Sequence, residues 1–213
     1  MIDHKTYPDC FNEFWRWKVQ SENGSSHILD EKHREEAFRR LGLTLRKWQW
    51  HRPQAYSNMA ARLRNSLRDI STSYAELRFY SFLEMRKIPS SMLERIWCAL
   101  GSVKSKEQMN SANPNLIMPI TKPLMFLWGQ TLAFDSVVRA KMPKLENARK
   151  SQDHWTFKEW VGALLEFRDR LMKQPEIIHV FEELSRKEYG KGPVPYGQFL
   201  DLYYWCADRK CNS

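Results

Sequence analysis

Two segments near the C-terminus carry the clearest helix boundary signals, and they constrain the fold more than any other feature. Thr156 and Glu159 have the spacing of a capping box ahead of an apolar-periodic run. Pro175 stands where a first-turn proline is favoured, and Gly190 follows the last apolar position of the same segment. Both segments are therefore predicted to be α-helices.

Helical periodicity recurs along the chain, and no segment alternates between apolar and polar residues as a half-buried strand would. Residues 26–42 predict a helix with Ser26 or Asp30 as its N-cap and Gly42 as its stop. Further helices are expected over 53–71, 73–87, 89–101 and 196–210, with a loop over 190–197. We expect an all-α fold: one domain spanning 1–213, with about seven to nine helices and a sub-boundary near 104–115.

The residues that carry metal, redox or hydrolase chemistry show no recognisable pattern. The four cysteines, at positions 10, 98, 206 and 211, form no CxxC pair, which fits a reduced, cytoplasmic setting. His179 and Glu183 supply at most two metal ligands on one face, and neither a GxSxG motif nor a phosphate-binding glycine loop occurs. The most apolar window, 116–138, is interrupted by prolines and charges. We expect no cofactor, no metal and no membrane partner.

The positive charges are concentrated in one tract. The net charge is +9, and residues 37–68 contain no Asp or Glu. A smaller basic cluster occupies residues 139–150, opposed only by Glu146. Such an excess favours an anionic partner such as nucleic acid, an acidic protein or anionic lipid.

Aromatic residues interrupt the basic tract, and this combination points to nucleic acid, which we expect to be DNA rather than RNA. Basic side chains neutralise phosphates, while Trp and Tyr rings offer stacking faces to exposed bases. The candidate nucleic-acid-binding residues are Arg39, Arg40, Arg46, Lys47, Trp48, Trp50, Arg52, Arg62, Arg64, Arg68, Arg139, Lys141 and Lys144.

Two other interpretations of the basic tract stay open. Its cations would form a solvated face, or would pair with acidic helices of the same fold, leaving Trp48 and Trp50 to anchor the core. Alternatively, the protein would be a non-catalytic adaptor or inhibitor subunit that docks on an acidic protein partner. In that case Tyr203, Tyr204 and Trp205 of the last helix are candidate interface anchors.

Arg46 and His51 are separated by four residues, a spacing that resembles the R-x4-6-H motif of HEPN ribonucleases. Members of that family are helical and need the paired Arg and His to cleave RNA. The resemblance implies a ribonuclease as a further alternative.

Residues 116–142 resemble the distal part of the helix-hairpin-helix DNA glycosylase superfamily, through an apolar helix, a glycine, an apolar turn and then "FDSVVR". The resemblance implies that Asp135 is the catalytic carboxylate and that Lys122 lies near the position of a lysine nucleophile. Such an enzyme flips its target base out of the duplex. The segment "IMPITKP" lacks the glycines of the family's hairpin. Without the resemblance, Asp135 is explained as the N-cap of a short helix.

Overall fold

The computed structural model describes residues 6–47, 56–101, 117–134, 138 and 155–207. Within these ranges the chain forms nine α-helices and one 3₁₀ helix, with no strand. The predicted all-α fold is thus confirmed. The molecule divides into two compact units: unit 1 is Met1–Phe79 with Ile88–Pro114, and unit 2 is Tyr80–Lys87 with Asn115–Ser213. The expectation of one domain stays a prediction.

Unit 1 is a bundle of five helices built around an apolar core. They are α1 (Thr6–Ser21), α2 (Arg34–Lys47), α3 (Tyr56–Asp69), α4 (Ser71–Leu77) and α5 (Ser90–Gly101). α2 packs against α1 and α3, and α5 packs against α3 and α4. The apolar stripe of α3 is buried at Leu63 and Leu67 and continues to Ile70, while Arg64 and Arg68 are exposed on the other face.

The core of unit 1 contains a buried ion pair. Lys18 is 1% exposed, and its Nζ lies 2.8 Å from the Glu22 carboxylate and 4.4 Å from the Trp15 ring centroid. The Tyr74 hydroxyl donates to the same carboxylate at 2.7 Å. Burial lowers the pKa of Lys18, and the negative charge of Glu22 opposes this shift. Burial also raises the pKa of Tyr74. A buried charge is stable only with such partners.

The chain between α1 and α2 is fixed by side-chain hydrogen bonds. His27 is 8% exposed, and its Nδ1 accepts a hydrogen bond from the Leu29 N–H at 3.2 Å. The Arg78 guanidinium donates to the carbonyls of Gly24 and Ser26, at 2.6 and 2.8 Å. Burial and then the Arg78 charge lower the pKa of His27, so its imidazole is neutral in the native state at pH 7.

Unit 2 contains a 3₁₀ helix and four α-helices. They are the 3₁₀ helix Phe82–Lys87, α6 (Ile117–Trp128), α7 (Phe157–Leu171), α8 (Pro175–Tyr189) and α9 (Tyr196–Ala207). α7 packs against the 3₁₀ helix and α8. The side chains of α6 are almost all buried, which explains why its sequence is apolar on every side.

Residues 129–134, here called the buried turn, follow α6 and are all buried. Its backbone polar groups are satisfied from neighbouring segments, as buried groups require. The Gly129 carbonyl accepts from the N–H groups of Gly197 and Gln198, at 2.9 and 3.2 Å. The Ala133 N–H donates to the Asp201 carboxylate at 2.8 Å, and the Thr121 hydroxyl donates to the Ala133 carbonyl at 2.5 Å.

The helix signals near the C-terminus are confirmed. The Thr156 hydroxyl accepts from the Glu159 N–H at 3.2 Å, and the Glu159 carboxylate accepts from the Thr156 N–H at 2.7 Å, which completes the capping box. Pro175 opens α8, and Gly190 follows it with a φ of 71°, where a side chain would strain the backbone.

Three sequence-based expectations are wrong. The helix expected over 26–42 begins only at Arg34. Gly42 does not stop α2, because Leu41 and Leu45 continue the buried stripe past it, and this packing outweighs the roughly 1 kcal/mol helix penalty of one glycine. Residues 73–87 do not form one helix: α4 ends at Leu77, and the 3₁₀ helix starts at Phe82. The Phe82 N–H does not continue a helical hydrogen-bond pattern from α4; it donates to the side-chain oxygen of Gln130 at 2.8 Å.

Within the described ranges, no helix combines the length and the hydropathy needed to cross a bilayer.

Candidate nucleic-acid interface

Two arginines of α2, Arg39 and Arg40, share one carboxylate. Arg39 donates through Nε and Nη2 to the two oxygens of Glu36, at 2.7 and 2.6 Å, and Arg40 donates through Nε at 2.6 Å. These hydrogen bonds, of which the one from Arg39 has the largest effect, lower the pKa of the Glu36 carboxyl to about 2. Two guanidinium groups thus meet one negative charge on this face of α2.

Arg64 of α3 reaches across to α2. Its guanidinium carbon lies 4.5 Å from the Phe38 ring centroid, and Nη2 lies 3.1 Å from the Glu35 carboxylate. The two helices pack against each other, and each contributes buried leucines to the core of unit 1. The cation–π contact therefore lies at the solvent-facing edge of the α2–α3 packing.

An open groove of about 630 Å³ lies at this edge. We call it the α2–α3 groove; it is lined by Lys32, Glu35, Glu36, Phe38, Arg39, Leu43, Arg46 and Arg64. Four cations and two carboxylates give its lining a net charge of +2. The apolar part consists of Phe38, which is half-buried, and Leu43, which is 46% exposed.

The structure brings only part of the predicted binding set together. Arg39, Arg46 and Arg64 line the groove, whereas Arg40, Arg62 and Arg68 do not. Arg68 is exposed, with Nε 3.7 Å from the Asp69 carboxylate. The remaining predicted positions lie outside the described residues or have undescribed side chains: Lys47, Trp48, Trp50, Arg52, Arg139, Lys141 and Lys144.

Five lining residues were not predicted, namely Lys32, Glu35, Glu36, Phe38 and Leu43. The two glutamates lie immediately before the acid-free tract, which begins at Ala37. Glu36 is three and four residues from Arg39 and Arg40, which is the spacing that pairs side chains on a helix, so this contact was readable in the sequence. The position of Phe38 under Arg64 depends on the packing of two helices and was not.

The residues singled out for catalysis belong to unit 2. Lys122 is 5% exposed within α6, where residues 117–123 form the first two turns of one continuous helix. Asp135 lies outside the described residues, as does His51 of the Arg46–His51 spacing.

Tyr203, a candidate anchor for a protein partner, is 53% exposed in α9, with its ring 5.5 Å from that of Tyr204.

Two features of unit 2 depart from ordinary packing. Phe134, the last residue of the buried turn, has a φ of 51°, a conformation that strains any residue other than glycine. The side-chain amide of Gln198 is fully buried and has no hydrogen-bond partner among the described residues. Natural proteins rarely leave such a group unpaired, because its desolvation costs about 1–3 kcal/mol.

In the part of the chain that the structure describes, no three His, Cys, Asp or Glu side chains are placed to hold a metal ion. The fold and the site define an all-α protein with a cationic groove on a helix pair. Neither a protein-family model, nor a curated protein, nor a solved structure matches the chain. Its function is therefore inferred from the residues of the site.

Proposed function

We propose that the protein binds nucleic acid, DNA in the first place, in the α2–α3 groove of unit 1. The observation that carries this proposal is the lining of the groove by Lys32, Arg39, Arg46 and Arg64 around two carboxylates. The carboxylates belong to exposed or half-buried side chains. Solvent-exposed ion pairs contribute only about 0–1 kcal/mol each, so a polyanion can replace Glu36 as the partner of Arg39, and Glu35 as the partner of Arg64, at little cost.

Phosphate binding has a signature that separates it from other forms of association. Each Lys or Arg that contacts a phosphate releases counterions, so the logarithm of the binding constant falls with the logarithm of salt, by about 0.7–0.9 per contact. Steep salt dependence toward an oligonucleotide of mixed sequence is therefore expected. The measurement is fluorescence anisotropy of a labelled oligonucleotide over a salt series.

The variant that tests the groove carries Arg39→Ala, Arg46→Ala and Arg64→Ala. Its matched control removes Arg86, Arg170 and Arg186 of unit 2, which are also exposed or half-exposed and also paired with carboxylates. Both triple variants lose three positive charges. The groove variant should bind more weakly with a slope flatter by about two to three, while the control keeps the slope of the native protein. Equal losses in the two variants, or no binding at low salt, would refute the proposal.

A base-processing activity is a second candidate, in which Asp135 acts as the catalytic carboxylate. The observation that favours it is the strain at Phe134, the residue immediately before Asp135, together with the unpaired amide of Gln198 in the same unit. Strained backbone and unsatisfied polar groups concentrate at functional sites. Asp135→Asn should abolish base release from damaged DNA while leaving oligonucleotide affinity unchanged; undiminished release by this variant would exclude the role.

A non-catalytic adaptor remains the competing class, and the same assay separates it. An acidic protein partner presents carboxylates rather than phosphates to the groove, with the exposed ring of Tyr203 as a candidate anchor elsewhere in the chain. A labelled polyglutamate peptide that binds more tightly than the oligonucleotide at equal salt would favour this class over nucleic acid. The Arg46–His51 ribonuclease interpretation stays a prediction.

A further inference from the structure

We infer that the α2–α3 groove is built for single-stranded nucleic acid, with an unstacked base against its apolar part. This inference rests on the proposed function and adds the class of nucleic acid. It starts from a feature that phosphate binding leaves unexplained. Phosphates need cations alone, yet Phe38 and Leu43 line the groove between the cationic side chains.

A duplex cannot use this apolar surface. Its bases are stacked, and it presents phosphates and base edges to a protein. A single strand exposes the faces of its bases, and stacking of one base on an aromatic side chain contributes about 1–3 kcal/mol, whichever base it is. The Arg64 guanidinium covers one face of the half-buried Phe38 ring, so such a base finds its apolar contact on the exposed side chain of Leu43 and on the part of the ring that Arg64 leaves accessible.

The contact between Arg64 and Phe38 adds a second planar surface. A guanidinium group stacks on aromatic faces, and a nucleobase is an aromatic partner of the same kind. Arg64 already lies over the Phe38 ring at 4.5 Å, so the elements of a stacking site are assembled before any ligand arrives. Preformed sites of this kind lose less entropy on binding.

The size and spacing of the groove also fit a short length of single strand. Its volume of about 630 Å³ lies within the ~300–1,000 Å³ usual for sites that enclose a small ligand. Arg39 and Arg46 are seven residues apart on α2, which corresponds to roughly 10 Å along the helix axis. The two guanidinium groups can therefore contact different phosphates of one strand.

The experiment compares anisotropy of the full chain with a labelled oligo(dT) of fifteen nucleotides, a fifteen-base-pair duplex and a polyglutamate peptide, all at one salt concentration. The oligo(dT) should bind at least 10-fold more tightly than the duplex. Duplex binding that equals or exceeds single-strand binding overturns the inference, although the proposed function stands. Absence of binding to both nucleic acids, or preference for the peptide, overturns the proposed function as well.

Substitution of the aromatic ring gives an independent readout. Phe38→Leu keeps an apolar side chain but removes the aromatic ring on which the Arg64 guanidinium is stacked, and should weaken oligo(dT) binding by about 5- to 100-fold with little effect on the duplex. Phe38→Tyr keeps an aromatic ring and should therefore retain binding, which would show that the position tolerates a substitution. The matched control is Phe79→Leu, because Phe79 also lies under an arginine, with the Arg78 guanidinium 4.3 Å from its ring, yet does not line the groove. An equal effect of the two leucine variants, or none for Phe38→Leu, contradicts the stacking role.

Discussion

Replacement of Gly197 by alanine is the most direct test of the packing in unit 2. Gly197 lies at the start of α9, where a Cβ atom would come within 2.4 Å of the Thr131 nitrogen and 2.5 Å of the Gln130 carbonyl carbon. Both are backbone atoms of the buried turn and cannot swing aside as a side chain would. Ordinary contacts of a Cβ begin near 3.4 Å, so α9 and the buried turn must separate by about 1 Å.

The cost of that separation follows from the contacts it disturbs. Overpacking of a well-packed core costs about 1–3 kcal/mol. The two hydrogen bonds that the Gly129 carbonyl accepts, from Gly197 and Gln198, contribute about 1 kcal/mol each and would be stretched. The higher helix propensity of alanine returns at most about 1 kcal/mol. We expect Gly197→Ala to destabilise the protein by about 3 kcal/mol, which lowers Tm by roughly 6–12 °C in a chain of this size.

Gly162→Ala is the matched control. Gly162 is exposed inside α7, and a Cβ atom there meets nothing within 4 Å. The same substitution should therefore raise stability by up to about 1 kcal/mol through helix propensity. Thermal unfolding followed by circular dichroism measures both variants. A Tm for Gly197→Ala equal to or above that of the native protein would show that the close approach of α9 to the buried turn is wrong.

Three further predictions concern charged groups. Glu36→Gln should raise oligonucleotide affinity about 2- to 5-fold, as expected for loss of an exposed ion pair. Glu183→Gln removes the same charge from a Glu–Arg pair in unit 2 and should leave the affinity unchanged. Equal gains of the two variants in the anisotropy assay would contradict a role of Glu36 in the groove. Glu22→Gln should cost about 3–5 kcal/mol in urea unfolding, because it leaves the buried Lys18 ammonium without its counter-charge, and adding Lys18→Met should recover most of that loss. Stability should fall as pH drops below about 6.5. Burial and the charge of Arg78 lower the pKa of His27, so the unfolded chain takes up the proton first. His27→Asn should reduce this pH dependence, and an unaltered profile of stability against pH would assign it to other groups.

The helices that could be predicted from the sequence are those whose boundaries are set by their own residues. The capping box of α7 and the proline and glycine of α8 act within a few residues: α7 begins at its capping box, and α8 begins at its proline and ends before its glycine. α1 was missed because Lys18 occupies a buried position that periodicity assigns to an apolar residue. Its burial depends on Glu22 and, through Glu22, on Tyr74, which is more than fifty residues away in the chain.

The candidate site was predictable to the same limited extent. The cationic residues of α2 and α3 follow from the charge pattern alone, since a helix exposes its charged face. The groove does not follow from the charge pattern, because it needs Arg64 to lie over Phe38. That contact is set by how α2 and α3 pack against each other. The strain at Phe134 is likewise invisible in the sequence, where phenylalanine gives no sign of a left-handed backbone.

The path of the chain through the two units limits how the protein can be divided. Unit 1 is interrupted by Tyr80–Lys87, an octapeptide that belongs to unit 2. The Phe82 N–H donates to Gln130, and Arg86 pairs with Asp169, so a fragment that starts near residue 115 would lack groups to which its own side chains bind. Such a fragment should be digested by protease faster than the same region in the intact chain. A synthetic peptide of residues 80–87 should restore part of the resistance.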